Sequence, residues 1–268
     1  MELREAKSSD KTLVLEFCKN TFSWGDYISD VWDNWSLEKN LLVLTENKIP
    51  VAISHGSISD KQVWIEGIRV HENYRRKGLA SHLVLELESI AKKKNCKVSK
   101  MLIAENNKHS LRLANSLNYH IEDNWNFYSL TPKKINFKTN VKKATNNQSV
   151  IDLILSNTSS YVRSWRWLPL SKTTINNLIN ENKIFYSEQD GIINAVAILL
   201  PSEHFEKTLM ITLISGNEDG INNIIKYFQN FALESDNERI QILTKINNFP
   251  KNNNLEKKYT FCLLEKQL

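Results

Sequence analysis

The sequence predicts a mixed α/β protein, α+β in layout around a mixed sheet, made of two lobes built to a similar plan. Three observations carry this. A strand, a long amphipathic helix and a second strand follow one another between residues 62 and 104, a βαβ unit that requires a parallel pair. Hairpin-like alternation precedes that unit over residues 40–58. The same order of hairpin, strand, helix and strand returns over residues 183–244. The expected division is 1–135 and 136–268.

Element by element, residues 2–7 alternate as a short strand, and Asp10 stands where it would cap a helix striped by Leu13, Val14, Phe17 and Cys18. After the Trp24-Gly25 corner, residues 26–37 read as a helix carrying Tyr27, Val31, Trp32 and Trp35. Residues 40–46 and 51–58 form the hairpin about Asn47-Lys48-Ile49-Pro50, and residues 62–70 a further strand. Helical spacing is strong over 78–94 (Leu79, Leu83, Val84, Leu87, Ile90, Ala91); 97–104 is a strand and 110–117 a short helix. Beyond a basic, polar stretch near 132–143, the second lobe offers strands at 141–144, 183–187, 192–200, 208–214 and 239–244, with helices at 149–155 and 221–234.

Composition excludes several classes. In 268 residues, 41% hydrophobic and 24% charged content is that of a folded globular protein. A net charge of +5 suits a phosphate-bearing cofactor and is too small to imply nucleic acid. The longest mostly apolar run, 192–200, is broken by Asn194 and too short to cross a bilayer, and Met1-Glu2-Leu3-Arg4-Glu5 lacks a signal-like apolar core; no membrane partner and a cytoplasmic location are expected. Cys18, Cys96 and Cys262 are isolated from one another and from any ligand spacing, which predicts buried reduced thiols and no metal. With seven glycines and neither Gly-x-Gly-x-x-Gly nor Gly-x-x-x-x-Gly-Lys-Ser/Thr, dinucleotide and P-loop folds fall away.

The informative stretch is Ile68-Arg69-Val70-His71-Glu72-Asn73-Tyr74-Arg75-Arg76-Lys77-Gly78-Leu79-Ala80, which joins a strand to a helix through a basic turn. Unpaired N–H groups at the helix start, the positive end of its dipole, and the small Gly78 and Ala80 let a phosphate approach Lys77 through Ser81, with Arg75 and Arg76 adding charge. Arg75-x-x-Gly78-x-Ala80 resembles the Gln/Arg-x-x-Gly-x-Gly/Ala signature of the GNAT superfamily of N-acetyltransferases, and Asn107 to Tyr119 resembles that family's Asn-x-x-Ala/Ser…Leu-Gly-Phe segment. The resemblance covers residues 1 to about 131; the remainder echoes only the layout, as a degenerate GNAT-like lobe. It implies that the turn binds the pyrophosphate of acetyl-CoA, that strands 62–70 and 97–104 splay so that main chain at Ile68, Arg69 and Val70 meets the pantetheine, and that Asn107, with Ser110, contacts the same arm. Asn107 also suits a helix cap, and both roles can hold.

A transferase needs a base for the amine. Glu66 is expected to serve, placed by strand alternation on one face with Ile68 and Val70, in apolar surroundings that would raise its pKa. Many members of the family carry a tyrosine general acid where Ala114 stands here, so the thiolate leaves unassisted or Tyr119 or Tyr128 substitutes. Trp24, Asp26, Tyr27 and Asp30 lie where the resemblance implies an acceptor wall, and aromatic rings with carboxylates suit an amine; core packing is the rival reading for Trp32 and Trp35. Gly25-Asp26-Tyr27-Ile28 with Glu66-Gly67-Ile68-Arg69-Val70 is similar to a subgroup that includes histidine N-acetyltransferases and archaeal relatives. In the second lobe Ser215-Gly216-Asn217-Glu218-Asp219-Gly220 is acidic where a pyrophosphate needs cations, so no CoA is expected there. That lobe is expected to help close the acceptor pocket, with Trp165, and with Arg163 or Arg166 for a substrate carboxylate. The function expected is acetyl transfer to a small amine or amino acid, with a protein N-acetyltransferase and a CoA-binding sensor without turnover as alternatives.

Overall fold

The computed structural model describes residues 1–22, 25–145, 148–203, 205–247, 249 and 255–268. Its elements are β1 (Glu2–Glu5), α1 (Lys11–Cys18), α2 (Ile28–Glu38), β2 (Leu41–Glu46), β3 (Ile49–Ser59), β4 (Gln62–Val70), α3 (Leu79–Lys93), β5 (Val98–Ala104), α4 (Lys108–Ser116), β6 (His120–Leu130), β7 (Val141–Lys143), α5 (Gln148–Asn157), β8 (Ser160–Arg163), β9 (Arg166–Pro169), α6 (Lys172–Asn180), β10 (Ile184–Gln189), β11 (Ile192–Pro201), β12 (Thr208–Gly216), α7 (Glu218–Glu234), β13 (Arg239–Thr244) and β14 (Leu255–Gln267). Two compact units result: residues 1–122 with 263–268, and residues 123–262. The division therefore falls before residue 135, and the chain's last residues return to the first unit.

In unit 1, β1 to β4 form an antiparallel meander and β5 joins β4 in parallel, with the end of β14 on the other side of β5. The apolar stripes of α1 and α2 bury Val14, Ile28, Trp32 and Trp35 against Val43 and Ile53. Trp32 and Trp35 are thus both core residues. The other sheet face belongs to α3: His55 stacks on Trp35, while a Cβ on the next residue, Gly56, would stand 2.8 Å from Leu87. Successive strand residues point to opposite faces, so α2 and α3 cover opposite sides. Asp10 caps differently from expectation. Its carboxylate takes two bonds from Arg4 (2.7 and 2.9 Å) and one from the Lys7 N–H (2.7 Å), because a guanidinium on β1 outcompetes the helix N–H groups.

Unit 2 repeats the plan, with neighbours in the order β6, β13, β12, β11, β10, β7 and the start of β14 beside β6; β8 and β9 form a separate hairpin. The apolar run of β11 from Ala195 to Leu200 has a simple cause. Ala195, Ala197 and Leu199 enter the core under α7, and Val196, Ile198 and Leu200 enter the core under α5 and α6, so both faces are buried.

Candidate active site

β4 and β5 pair only at Gln62–Val98, Val63–Ser99 and Trp64–Lys100, although β4 continues to Val70 and β5 to Ala104. Past Trp64 the two strands part, which leaves a wedge lined by main chain of β4, including Ile68 and Val70. At its end Arg75 Nε donates to the Val70 carbonyl (3.2 Å), Arg76 and Gly78 adopt positive φ (62° and 76°), and α3 begins. The first helical bond runs from His82 N–H to Gly78 O (3.0 Å), so the N–H groups of Leu79, Ala80 and Ser81 have no helical carbonyl to meet. A Cβ on Gly78 would have nothing within 4 Å, so the turn is open at that position. Exposed Arg75, Arg76 and Lys77, the last with its ammonium 4.7 Å over the Tyr74 ring, surround the opening. This cradle and wedge fit a pyrophosphate and an extended arm. Asn107, past the end of β5, accepts from the Ser110 N–H (3.1 Å) and caps α4.

Halfway along β4 the register with β3 steps: His55 faces Glu66 but Ile53 faces Arg69. The extra residue makes a bulge at Gly67, whose φ is +64°. The bulge corrects the alternation argument. Glu66 shares its sheet face with Arg69, on the α2 side, and not with Ile68 and Val70. Glu66 is 13% exposed at its side chain, with Oε1 2.9 Å from His55 Nδ1. Arg69 turns its guanidinium onto Asp26 (2.6 and 3.1 Å) and the Ile68 carbonyl (3.1 Å), over the rings of Phe22 and Tyr27 at 5.2 and 5.3 Å. Burial acts to lower the Arg69 pKa, yet Tyr27 and Asp26 outweigh it and the pKa lies above the ordinary value. Asp26, expected to meet the acceptor, is therefore spent on Arg69 and the Ile28 N–H (3.2 Å). Tyr27 is half-buried, edge-on to Trp35 at 6.2 Å, and burial raises its phenol pKa. Asp30 is exposed on the first turn of α2, and Trp24 lies outside the described residues.

Tyr119 is not brought near Glu66. Its hydroxyl, in a residue 3% exposed, meets Ser99 and donates to Glu88 of α3 (2.8 Å), on the opposite sheet face. Burial drives its pKa far above the usual phenol value, so the expectation of an acid there is corrected by the face on which β6 begins. Ala114 is buried. The residues that sequence reasoning missed are His55, and Trp35 as the ring beneath the bulge. The one local hint was a glycine inside an apolar strand, which often marks a bulge.

In unit 2 the corresponding strands do not part: β12 and β13 pair from Thr208–Arg239 to Leu213–Thr244, the whole length of β13. The start of α7 is closed as well, because Asn217 caps it at Gly220 (2.9 Å), a Cβ on Gly220 would stand 2.3 Å from the Asn194 carbonyl, and Glu218 and Asp219 occupy the first turn. Arg163 is held at the surface by Glu203 (2.8 Å), and Arg166 is buried. Trp165, at φ +63° in the β8–β9 turn, donates to Gln241 (3.2 Å) and stands edge-on to Phe127 and Phe261.

Residues 9–119, which hold the wedge, the cradle and the bulge, match the acetyltransferase (GNAT) family. Unit 1 carries a GNAT acetyltransferase domain. The chemistry that goes with this domain is acetyl-CoA-dependent acyl transfer. Solved structures similar in fold to the whole chain include a GCN5-related N-acetyltransferase from Sphaerobacter thermophilus (TM-score 0.68, 10% identity, 99% of this chain and 95% of that one). A Thermoplasma acidophilum protein provisionally described as an acetyltransferase gives 0.66 at 16% identity over the full length of both chains. A tandem GNAT protein from the clavulanic acid biosynthesis pathway gives 0.59 at 8% identity over 99% and 98%. At these identities the likeness is one of fold, and it extends the GNAT layout to both units. The sequence matches none of the curated proteins. Among the described residues no helix is long and apolar enough to cross a membrane, and no cluster of His, Cys, Asp and Glu is arranged to hold a metal.

Proposed function

We propose that the GNAT domain moves acetyl from acetyl-CoA to the primary amine of a small amine or free amino acid by direct attack, with Glu66 as the base. The observation that carries this reading is the Gly67 bulge. It turns a largely enclosed carboxylate toward the α2 face where β4 has left β5, beside the Tyr27 and Trp35 rings. Glu66 takes a proton from the amine, the nitrogen attacks the thioester carbonyl carbon, and the C–S bond breaks with its electron pair on sulfur. The thiolate leaves unassisted, as its moderate pKa permits. A carboxylate enclosed to this degree suits one compact amine better than a polypeptide. The Asp26–Arg69 pair serves here as a wall that positions Tyr27 and Phe22. The short likeness around Gly25-Asp26-Tyr27-Ile28 makes histidine and other free amino acids the first acceptors to test. Cys18, Cys96 and Cys262 are buried and in no disulfide, and burial pushes Cys18 up to about 12, which suits a reducing compartment such as the cytoplasm.

The test is isotope-labelled acetyl-CoA incubated with the protein and a cytosolic extract, followed by mass spectrometry of separated metabolite and protein fractions. Label on a small amine is the expected result. Label confined to polypeptides, or no label above a no-enzyme control, overturns the reading.

A further inference from the structure

His55 has no part in the scheme above, yet its surroundings constrain it tightly. The imidazole is fully buried and stacks on Trp35, ring centroids 4.8 Å apart and planes 10° from parallel. Both ring nitrogens face oxygen: Nε2 is 3.1 Å from the Lys39 carbonyl and Nδ1 is 2.9 Å from Glu66 Oε1. A carbonyl oxygen only accepts, so Nε2 carries hydrogen and donates to it. In a neutral ring Nδ1 is then a bare lone pair. A carboxylate facing that lone pair at 2.9 Å would bring two acceptors together in a buried site. The contact is satisfied by one proton between Nδ1 and Oε1, whether written as imidazolium with carboxylate or as imidazole with carboxylic acid.

We propose that His55 and Glu66 hold a single proton in common, and that His55 is a positioning residue which raises the proton affinity of the Glu66 carboxylate. The proposal rests on the reading of Glu66 as the base. Once the pair has lost its proton, lone pair opposes lone pair, and uptake of a proton from the acceptor amine relieves that opposition. The proton leaving the amine ends in the Oε1–Nδ1 bond, the amine electron pair forms the N–C bond, and the broken C–S bond leaves its pair on the CoA sulfur. The shared proton then returns to solvent before the next turnover. A carboxylate with such a partner is a stronger base than one in water, which suits a base working near neutral pH. Other described groups face the pair. Glu38 Oε2, at the end of α2, lies 3.7 Å from Nε2 and favours the imidazolium form, but it is 36% exposed and screened. The Tyr27 phenol faces Glu66 from the start of α2, and Arg69 beyond it is already paired with Asp26.

The experiment is ring ¹⁵N and carboxyl ¹³C spectroscopy of the full chain, labelled at its six histidines and at its glutamate side-chain carboxyls, across pH, with the His55 and Glu66 signals identified by their loss in His55→Gln and Glu66→Gln. The expected result is an Nε2 that stays protonated throughout and an Nδ1 that titrates in one step together with the Glu66 carboxyl carbon. In Glu66→Gln the ring is expected to stay neutral with its hydrogen on Nε2, and that step disappears. An Nε2 that carries no hydrogen, or a His55 titration unchanged in Glu66→Gln, overturns the proposal. Kinetics supply the second arm, as CoA thiol release with the twenty free amino acids as acceptors. His55→Gln is expected to move the acid limb of kcat/KM at least one pH unit lower, a tenfold loss of proton affinity, whereas a merely structural role would lower activity at all pH values alike. Full activity in Glu66→Gln would remove the base reading while leaving the spectroscopic pairing to stand or fall by itself. An inactive Glu66→Gln with an unmoved limb in His55→Gln would overturn the pairing alone.

Discussion

Two demands meet at Gly67, a φ of +64° and a Trp35 ring 2.5 Å from where a Cβ would stand. Gly67→Ala must take up left-handed strain of about 1–2 kcal/mol and overpacking of about 1–3 kcal/mol. The expected loss of stability is therefore about 2–5 kcal/mol, seen as a lower urea midpoint at unchanged m-value; an unmoved midpoint would mean that the bulge is not formed. Gly78 shares the positive φ but faces open space, so its substitution separates binding from folding. Gly78→Glu places a carboxylate among the N–H groups meant for phosphate and should lower acetyl-CoA affinity by about tenfold or more, at a strain cost of only about 1–2 kcal/mol. Glu66→Gln should leave acetyl-CoA affinity intact and reduce kcat/KM by about 10²–10⁴. Loss of affinity in Glu66→Gln would place that carboxylate in cofactor binding and not in proton transfer.

At the scale of elements, unit 1 depends on the last residues of β14. Leu263 and Leu264 are buried, Glu265 reaches Lys100 (3.1 Å), Lys266 reaches the buried Glu88 (2.6 Å), and the Leu268 N–H meets the Lys97 carbonyl (2.9 Å). Deletion of 263–268 forfeits the burial of two leucines, worth about 1.5–3 kcal/mol each, and strips Glu88 of its cation, worth about 3–5 kcal/mol. That is comparable with a whole domain's stability, so the deleted chain should lose its thermal transition or become insoluble; an unchanged Tm would contradict the strand's place beside β5. The junction of β1 and α1 carries a pH dependence. The Arg4 hydrogen bond, against the cost of burial, holds the Asp10 carboxyl below its ordinary value of 3.8. Asp10 thus stabilises fully above that value, and its contribution is lost as pH falls through the lower, folded one. Asp10→Asn should destabilise by about 1–3 kcal/mol at neutral pH, with the difference from the parent shrinking in acid.

Sequence periods located β4, α3 and β5 within a residue or two, because a half-buried strand and an amphipathic helix imprint their own periods. They missed β6 and β14, whose starts, Ile121-Glu122-Asp123-Asn124 and Leu255-Glu256-Lys257-Lys258, are too polar to read as strands, and the β8–β9 hairpin, whose turn is Ser164-Trp165 with no glycine. The cradle was legible because it is local in sequence. The Glu66–His55 contact was not, since it depends on the register of two strands and on a bulge that shifts the phase of one.

Across the molecule, two units of one plan differ in the feature proposed as the cofactor slot. In unit 1 the parallel strands separate after three pairs and a basic turn opens onto free N–H groups; in unit 2 six pairs close the strands and Glu218, Asp219 and the Asn194 carbonyl fill the helix start. An anion cannot displace a carbonyl packed 2.3 Å from the Cβ position of Gly220 without moving the sheet. The second unit is therefore expected to have kept the fold without the slot. The most direct test is calorimetric titration of the full chain with acetyl-CoA, beside Gly78→Glu. One site per chain, with affinity reduced about tenfold or more in Gly78→Glu, is the predicted result; two sites per chain, or one whose affinity is untouched by Gly78→Glu, would contradict the assignment of acetyl-CoA to the β4–β5 wedge.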